Sequence, residues 1–360
     1  MTSRERVLNA LRRRPVDRVP YFDYYWPETV DRWTAEGYLK AGENIDEHFN
    51  QDVWHGVGIN NTIANMDFKD AVLEETEDTI LTINGNGAKL RVHKKHSSTP
   101  EHAGFTVTNR QSWNEHIKPH LMKADCRRYD ALAYRKQKDE AAAAGRSLLS
   151  ILMGPFECMH GVCGHEYLLM GMVEDPDWVR EMTDTFVNLT IILLEELYAE
   201  AGVPDGIYLA EDMGFKFKPF FSPAMYDEIM LPAHRRLMSF FHSRNLPVLL
   251  HSCGFVEPLV PGLITAGIDC LQPMEVKAGM DMLRLVDKFG DRISFCGNID
   301  AMTLLANDLA KLEAEMRAKI PPVMARSGYL LHSDHSIPPQ VDYETMKFFF
   351  KRGCEIGKPA

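Results

Sequence analysis

Apolar runs of strand length alternate with helix-length amphipathic patterns over most of this chain. "RVPYFDYYW" reads as a first strand, and "RSLLSILMG" as a second buried one beginning at Ser147. Between them, "EDTILTINGNGAKLRVHKK" sets an Asn-Gly turn between two alternating runs, which is a hairpin signature. Asp175 to Ala201 is strongly helical, and "DGIYLAEDMG" follows as a strand. Ser222 and Pro223 supply an N-cap and first position for a long helix running to Asn245. The rhythm then shortens. "LPVLLHSCG", "IDCLQPME", "RISFCGNID" and "GYLLHSDHSIPP" read as strands, each followed by a helix; the one after "RISFCGNID" runs from Thr303 to Ala325.

At least six β-then-α units in series predict a parallel sheet, and the length favours a closed (β/α)8 TIM barrel. The expected organisation is one domain over residues 1–360. Residues 1–145 carry an N-terminal helical and β-hairpin extension, and residues 146–360 the main run of β/α units. An open doubly wound sheet is the alternative, but no Gly-x-Gly-x-x-Gly follows any of the strands. The opening residues fit an amphipathic helix from Arg4 to Arg13, ended before Pro15.

Composition narrows the function classes. The net charge is 40 − 51 = −11, which argues against nucleic acid and anionic membranes as partners. No apolar window is long enough to span a bilayer, and no signal-peptide core is evident. Seven cysteines, an odd number, with no export signal predict a reducing, cytoplasmic setting and thiols that are buried, ligating or reactive.

Polar residues collect where the apolar runs give out: Glu211-Asp212, His251-Ser-Cys253, Gln272 to Glu275, Cys296-Gly-Asn298 and Asp334-His335. In a barrel, that C-terminal face carries the active site. His251 and Cys253 are two residues apart in a strand, so their side chains share a face. Zinc prefers nitrogen and sulfur ligands, and His335 is the candidate third. The plain alternative is a core thiol beside a hydrogen-bonded histidine. Glu211 and Asp212 are candidates for acid–base work, against a helix-cap pair. Glu275 is another, against a salt bridge with Lys277. In "ECMHGVCGHE", Cys158, His160, Cys163 and His165 are dense enough for a structural metal; the alternative is a loop that turns Glu157 or His160 to the pocket. Tyr24, Tyr25 and Trp26 lie in an aromatic run that could floor a pocket for a flat substrate or simply be core.

At these residues the chain resembles the uroporphyrinogen decarboxylase superfamily, which includes the corrinoid- and zinc-dependent methyltransferases. The motifs are "RPVDRVP" (14–20), "EDMGFKFKPFFSPAMYDEIMLP" (211–232), "HSCG" (251–254), "GNID" (297–300) and "SDHSIPP" (333–339). The resemblance implies a single (β/α)8 barrel with its site at the C-terminal face. True decarboxylases carry an arginine-rich stretch after "RPVDRVP"; here it is "YFDYYWPETVDRW", aromatic and acidic. The methyltransferase branch carries His-x-Cys where this chain has His251 and Cys253, with a cysteine where it has His335. The resemblance therefore implies a methyltransferase with zinc on His251, Cys253 and His335 as Lewis acid. It would move a methyl group between a small methylated substrate, such as a methoxy compound, or a thiol and a corrinoid supplied by a partner protein. Asp212, Glu275 and Glu211 would be catalytic. Tyr24, Tyr25, Trp26, Glu157, His160, Asn298 and Asp334 would shape the substrate site. A homodimer is compatible with this reading. The alternative is a metal-independent decarboxylase acting on a porphyrinogen or related acid.

Overall fold

The computed structural model describes residues 1–95 and 99–359. Its first helix, Ser3–Leu11, is closed by a capping box in which Thr2 and Glu5 satisfy each other's backbone N–H groups. Strand β1 (Val53–Val57) follows. Next comes an antiparallel sheet of β2 (Ala71–Glu75), β3 (Thr79–Ile83), β4 (Ala88–His93) and β5 (Glu101–Phe105). The expected hairpin is its β3–β4 pair, joined through residues 84–87. The remaining strands are β6 (Ser147–Met153), β7 (Gly206–Ala210), the short hairpin β8 (Gly214–Phe215) and β9 (Lys218–Pro219), β10 (Val248–Ser252), β11 (Cys270–Pro273), β12 (Ser294–Cys296) and β13 (Tyr329–Leu330).

Strands β1, β6, β7, β10, β11, β12 and β13 form one parallel seven-stranded sheet in that order. The expected first strand meets both of its edges. Leu331 N donates to Pro20 O and Phe22 N to Leu331 O on one side, and Asp52 N donates to Tyr21 O on the other. The Asp23 carboxylate adds a tie across the first edge by accepting from Ser333 N and Ser333 Oγ.

Period-two alternation sorts the side chains into two layers. Phe22, Val53, Leu149, Tyr208, Leu249, Cys270, Cys296 and Leu330, one from each strand position, form an inner cluster. Val7, Ala10 and Leu11 of the first helix join this cluster. The intervening residues, such as Tyr21, Leu148, Ile207, Leu250, Leu271, Phe295 and Leu331, pack outward with the helices in the larger core.

Several sequence expectations are corrected here. β1 was not foreseen, so "RSLLSILMG" occupies the third strand position, not the second. "ECMHGVCGHE" is not a loop: Pro155–Glu174 is helical, with Pro155 in its first turn and a break at Gly164, whose φ is 70°. The long helix after Ser222 contains a π turn at Tyr226–Met230. The helix expected from Thr303 is two, Ala301–Leu305 and Leu309–Met324, with Asp308 capping the second. Among the described residues no helix is long and apolar enough to cross a membrane. All seven cysteines are free.

Candidate active site

Two residues beyond the inner cluster, the same alternation turns Tyr24, His55, Ile151, Ala210, His251, Gln272 and His332 toward the barrel axis. This is where apolar strand interiors give way to polar groups. His251 is held from behind. Its Nδ1 meets Gln272 Oε1, and the Tyr208 hydroxyl lies 2.9 Å from Nδ1 and 3.0 Å from Gln272 Oε1. Gln272 Oε1 can only accept, so the ring proton belongs on Nδ1 and the Nε2 lone pair is free.

That Nε2 lies 3.4 Å from Cys253 Sγ and 3.4 Å from Asp212 Oδ1. Asp212 Oδ1 also accepts the Cys253 backbone N–H at 2.7 Å, which fixes the two strand ends to each other. Ligand atoms of Asp212, His251 and Cys253 all fall within 4.8 Å of one another, and no other such group of three occurs among the described residues. Ligands of one tetrahedral zinc stand about 3.3–3.7 Å apart, given bonds of about 2.0–2.3 Å. The two 3.4 Å separations from His251 Nε2, the nitrogen, sulfur and oxygen donors and the oriented imidazole fit a zinc ion. Burial raises the Cys253 thiol above its ordinary range, with the charges of Asp212 and Glu275 adding to the shift.

A cavity of about 420 Å³ opens beside the triad, lined by Phe215, Lys216, Cys253, Gly254, Glu275 and Lys277 among others. Gly254 has φ 77°, and its backbone packs so closely on Gly214 that no Cβ fits at either position. Glu275 Oε2 accepts the Gly254 N–H at 2.9 Å, and its Oε1 lies 3.8 Å from Lys277 Nζ.

The other expected residues divide. Glu211 is fully buried; it accepts from Phe156 N and Glu157 N at the start of the Pro155–Glu174 helix and pairs with His234 Nε2 at 2.7 Å. Burial raises its carboxyl above the ordinary value. With these partners it serves as an anchor. Glu157 accepts the Asp212 N–H at 3.3 Å, and His160 stacks on His165 with centroids 3.8 Å apart. Asn298 donates to Met274 O and Met280 O, and Asp334 accepts from Val276 N and Ala301 N, so both brace loops at the barrel mouth. Tyr24 faces the barrel interior, but Tyr25 faces outward, stacked on Phe49, and the Trp26 backbone caps the Pro27–Ala35 helix. His335 is half-buried and lies outside the three-residue ligand group. Cys158, His160, Cys163 and His165 do not converge as ligands either.

Tyr208, His55 and His332 were not singled out for chemistry from sequence, and Gln272 was named only as one of the polar strand-end residues. Gln272 and His332 sit two residues beyond apolar strand positions, a spacing that could have found them.

Residues 111–355 match the profile of the uroporphyrinogen decarboxylase (URO-D) family. The chain belongs to that family. As a URO-D family member it is similar in fold to a methyltransferase from Methanosarcina mazei, with TM-score 0.66 and 17% identity, over 99% of this chain and 99% of that one. It is less similar to Dispersin B, with TM-score 0.39 and 11% identity over 95% and 98% of the two chains. An AP endonuclease of family 2 from Brucella melitensis gives TM-score 0.33 and 9% identity over 59% and 81%. No curated protein matches the sequence.

Proposed function

We propose that this URO-D family member is a zinc-dependent methyltransferase, exchanging a methyl group between a small methoxy compound or thiol and the corrinoid of a separate partner protein. The observation that supports this reading is the Asp212–His251–Cys253 triad with its oriented imidazole. A site for a porphyrinogen's carboxylates needs cations. The inward positions carry no lysine or arginine, and among the described residues the only two cations lining the cavity, Lys216 and Lys277, are few for a substrate of many carboxylates.

Asp212, His251 and Cys253 would hold the ion, and His335, from the last strand end, is proposed as a further ligand. Zinc there would supply Lewis acidity toward an ether oxygen or a thiol sulfur. Gln272 and Tyr208 keep the His251 ring in the binding orientation. Asp212 and Glu275, from the two neighbouring strand ends, fix the one loop that carries Cys253 and Gly254. Glu275, facing the cavity, is proposed to exchange the proton that the oxygen or sulfur gains or loses as the methyl group moves.

The test is zinc-loaded protein with methylcobalamin and 2-mercaptoethanol. The expected result is S-methyl product with loss of methylcobalamin, reduced at least about 100-fold in Cys253→Ala. Carbon dioxide release from uroporphyrinogen, with no methyl transfer, would contradict the proposal.

A further inference from the structure

Three buried polar atoms near the triad lack a well-formed hydrogen bond: His55 Nε2, His332 Nε2 and Tyr24 Oη, the last with only the Tyr208 hydroxyl beside it. They belong to one group of rings. The Tyr24 centroid lies 4.6 Å from His55, 5.7 Å from His332 and 5.6 Å from Tyr208. A single buried polar group left unpaired costs about 1–3 kcal/mol, and most native structures avoid it. Three in one place call for a ligand group or water.

The surrounding bonds define what these atoms can do. His332 Nδ1 donates to Ser333 O at 2.5 Å, so its Nε2 carries a lone pair. The Asp23 Oδ1 atom stands 3.6 Å from that Nε2, and the Asp23 carboxylate already accepts from Tyr24 N, Ser333 N and Ser333 Oγ. His55 Nδ1 lies 3.8 Å from Asp46 Oδ2, too far for a hydrogen bond, so the His55 ring can present Nε2 as either acceptor or donor. The Tyr24 hydroxyl can donate or accept. Phe22 and Tyr208 supply aromatic walls. Tyr208 also joins this group to the triad through its bond to His251.

We infer that His55, His332 and Tyr24 form a buried polar subsite that binds a hydrogen-bond-donating group, a hydroxyl or a protonated amine, on a flat apolar substrate. The inference rests on the methyltransferase reading only in calling the bound molecule its substrate; the subsite itself involves neither metal nor corrinoid.

The test uses metal-free full-length protein with nitrogen-15-labelled histidine, titrated with phenol, with anisole, which lacks the donor, and with benzylammonium. The expected result is at least tenfold tighter binding of a donor probe than of anisole, with movement of the His332 and His55 Nε2 resonances. His332→Phe should abolish that preference, while His332→Gln, which keeps an acceptor, should retain part of it; the other histidine resonances report whether each variant is folded. Phenol binding more tightly than benzylammonium assigns the group as a hydroxyl, and the reverse assigns an amine. Equal binding of donor probes and anisole overturns the inference. So does a His332 Nε2 resonance already hydrogen-bonded in the free protein and unmoved by any probe, because water or Asp23, whose carboxyl burial pushes up to about 8, then fills the place. No methyl donor is present, so failure here leaves the methyltransferase reading standing, and failure of methyl transfer from methylcobalamin leaves the subsite standing.

Discussion

His251 Nε2 lies 3.4 Å from Cys253 Sγ, the two side chains sharing one face where β10 ends. The contact depends on the ring orientation set by Gln272 and Tyr208 on neighbouring strands.

Gln272→Leu should therefore weaken zinc binding by about 10–100-fold while leaving the three ligands in place. Competition against a chromogenic chelator measures it. An unchanged affinity would mean that the imidazole needs no support from behind.

Glu211 should matter for folding more than for chemistry. Removing one partner of a buried, hydrogen-bonded pair costs about 3–5 kcal/mol, and Glu211→Ala leaves His234, Phe156 N and Glu157 N without their acceptor. Urea unfolding should show a loss of that order, with Glu211→Gln losing less. A folded, stable Glu211→Ala protein without activity would restore a catalytic role.

His242 gives a pH-dependent contribution far from the chemistry. Its Nε2 sits 2.9 Å from Asp269 Oδ2, and this hydrogen bond raises the imidazole above its ordinary value of 6.5. The folded state thus holds the proton more tightly than the unfolded one. The stabilisation is fully present below the ordinary value and is lost as pH rises through the raised folded value. The ring is 43% exposed, so solvent screening limits the effect to roughly a few tenths of a kcal/mol. His242→Gln should lower the Tm more near pH 6 than near pH 9, by thermal melts in matched salt.

The sequence pattern located the strands of the parallel sheet after residue 146 because each is a short apolar run bounded by turn residues, and it missed the two-residue hairpin strands β8 and β9. It did not say which side chains face the barrel axis. Parallel strands are apolar on both faces, so Leu249 and Leu250 look alike in sequence, yet only Leu249 is interior. For the same reason Tyr24 and Tyr25 were grouped, and the structure turns them to opposite sides. β1 escaped notice because "VWHGVG" carries two glycines and a histidine in a short stretch. Asp212 is drawn to the triad by the Cys253 N–H, a backbone contact between strands 41 residues apart that no local pattern encodes.

The most direct test is zinc content with X-ray absorption on the wild type and on Cys253→Ala and Asp212→Ala. The wild type is expected to hold about one zinc per chain, with one sulfur near 2.3 Å and nitrogen or oxygen near 2.0–2.1 Å. Cys253→Ala should lose the sulfur and most of the metal, and Asp212→Ala should bind more weakly. Protein that takes up no zinc from a stoichiometric supply, or a sulfur signal that persists in Cys253→Ala, would contradict the account.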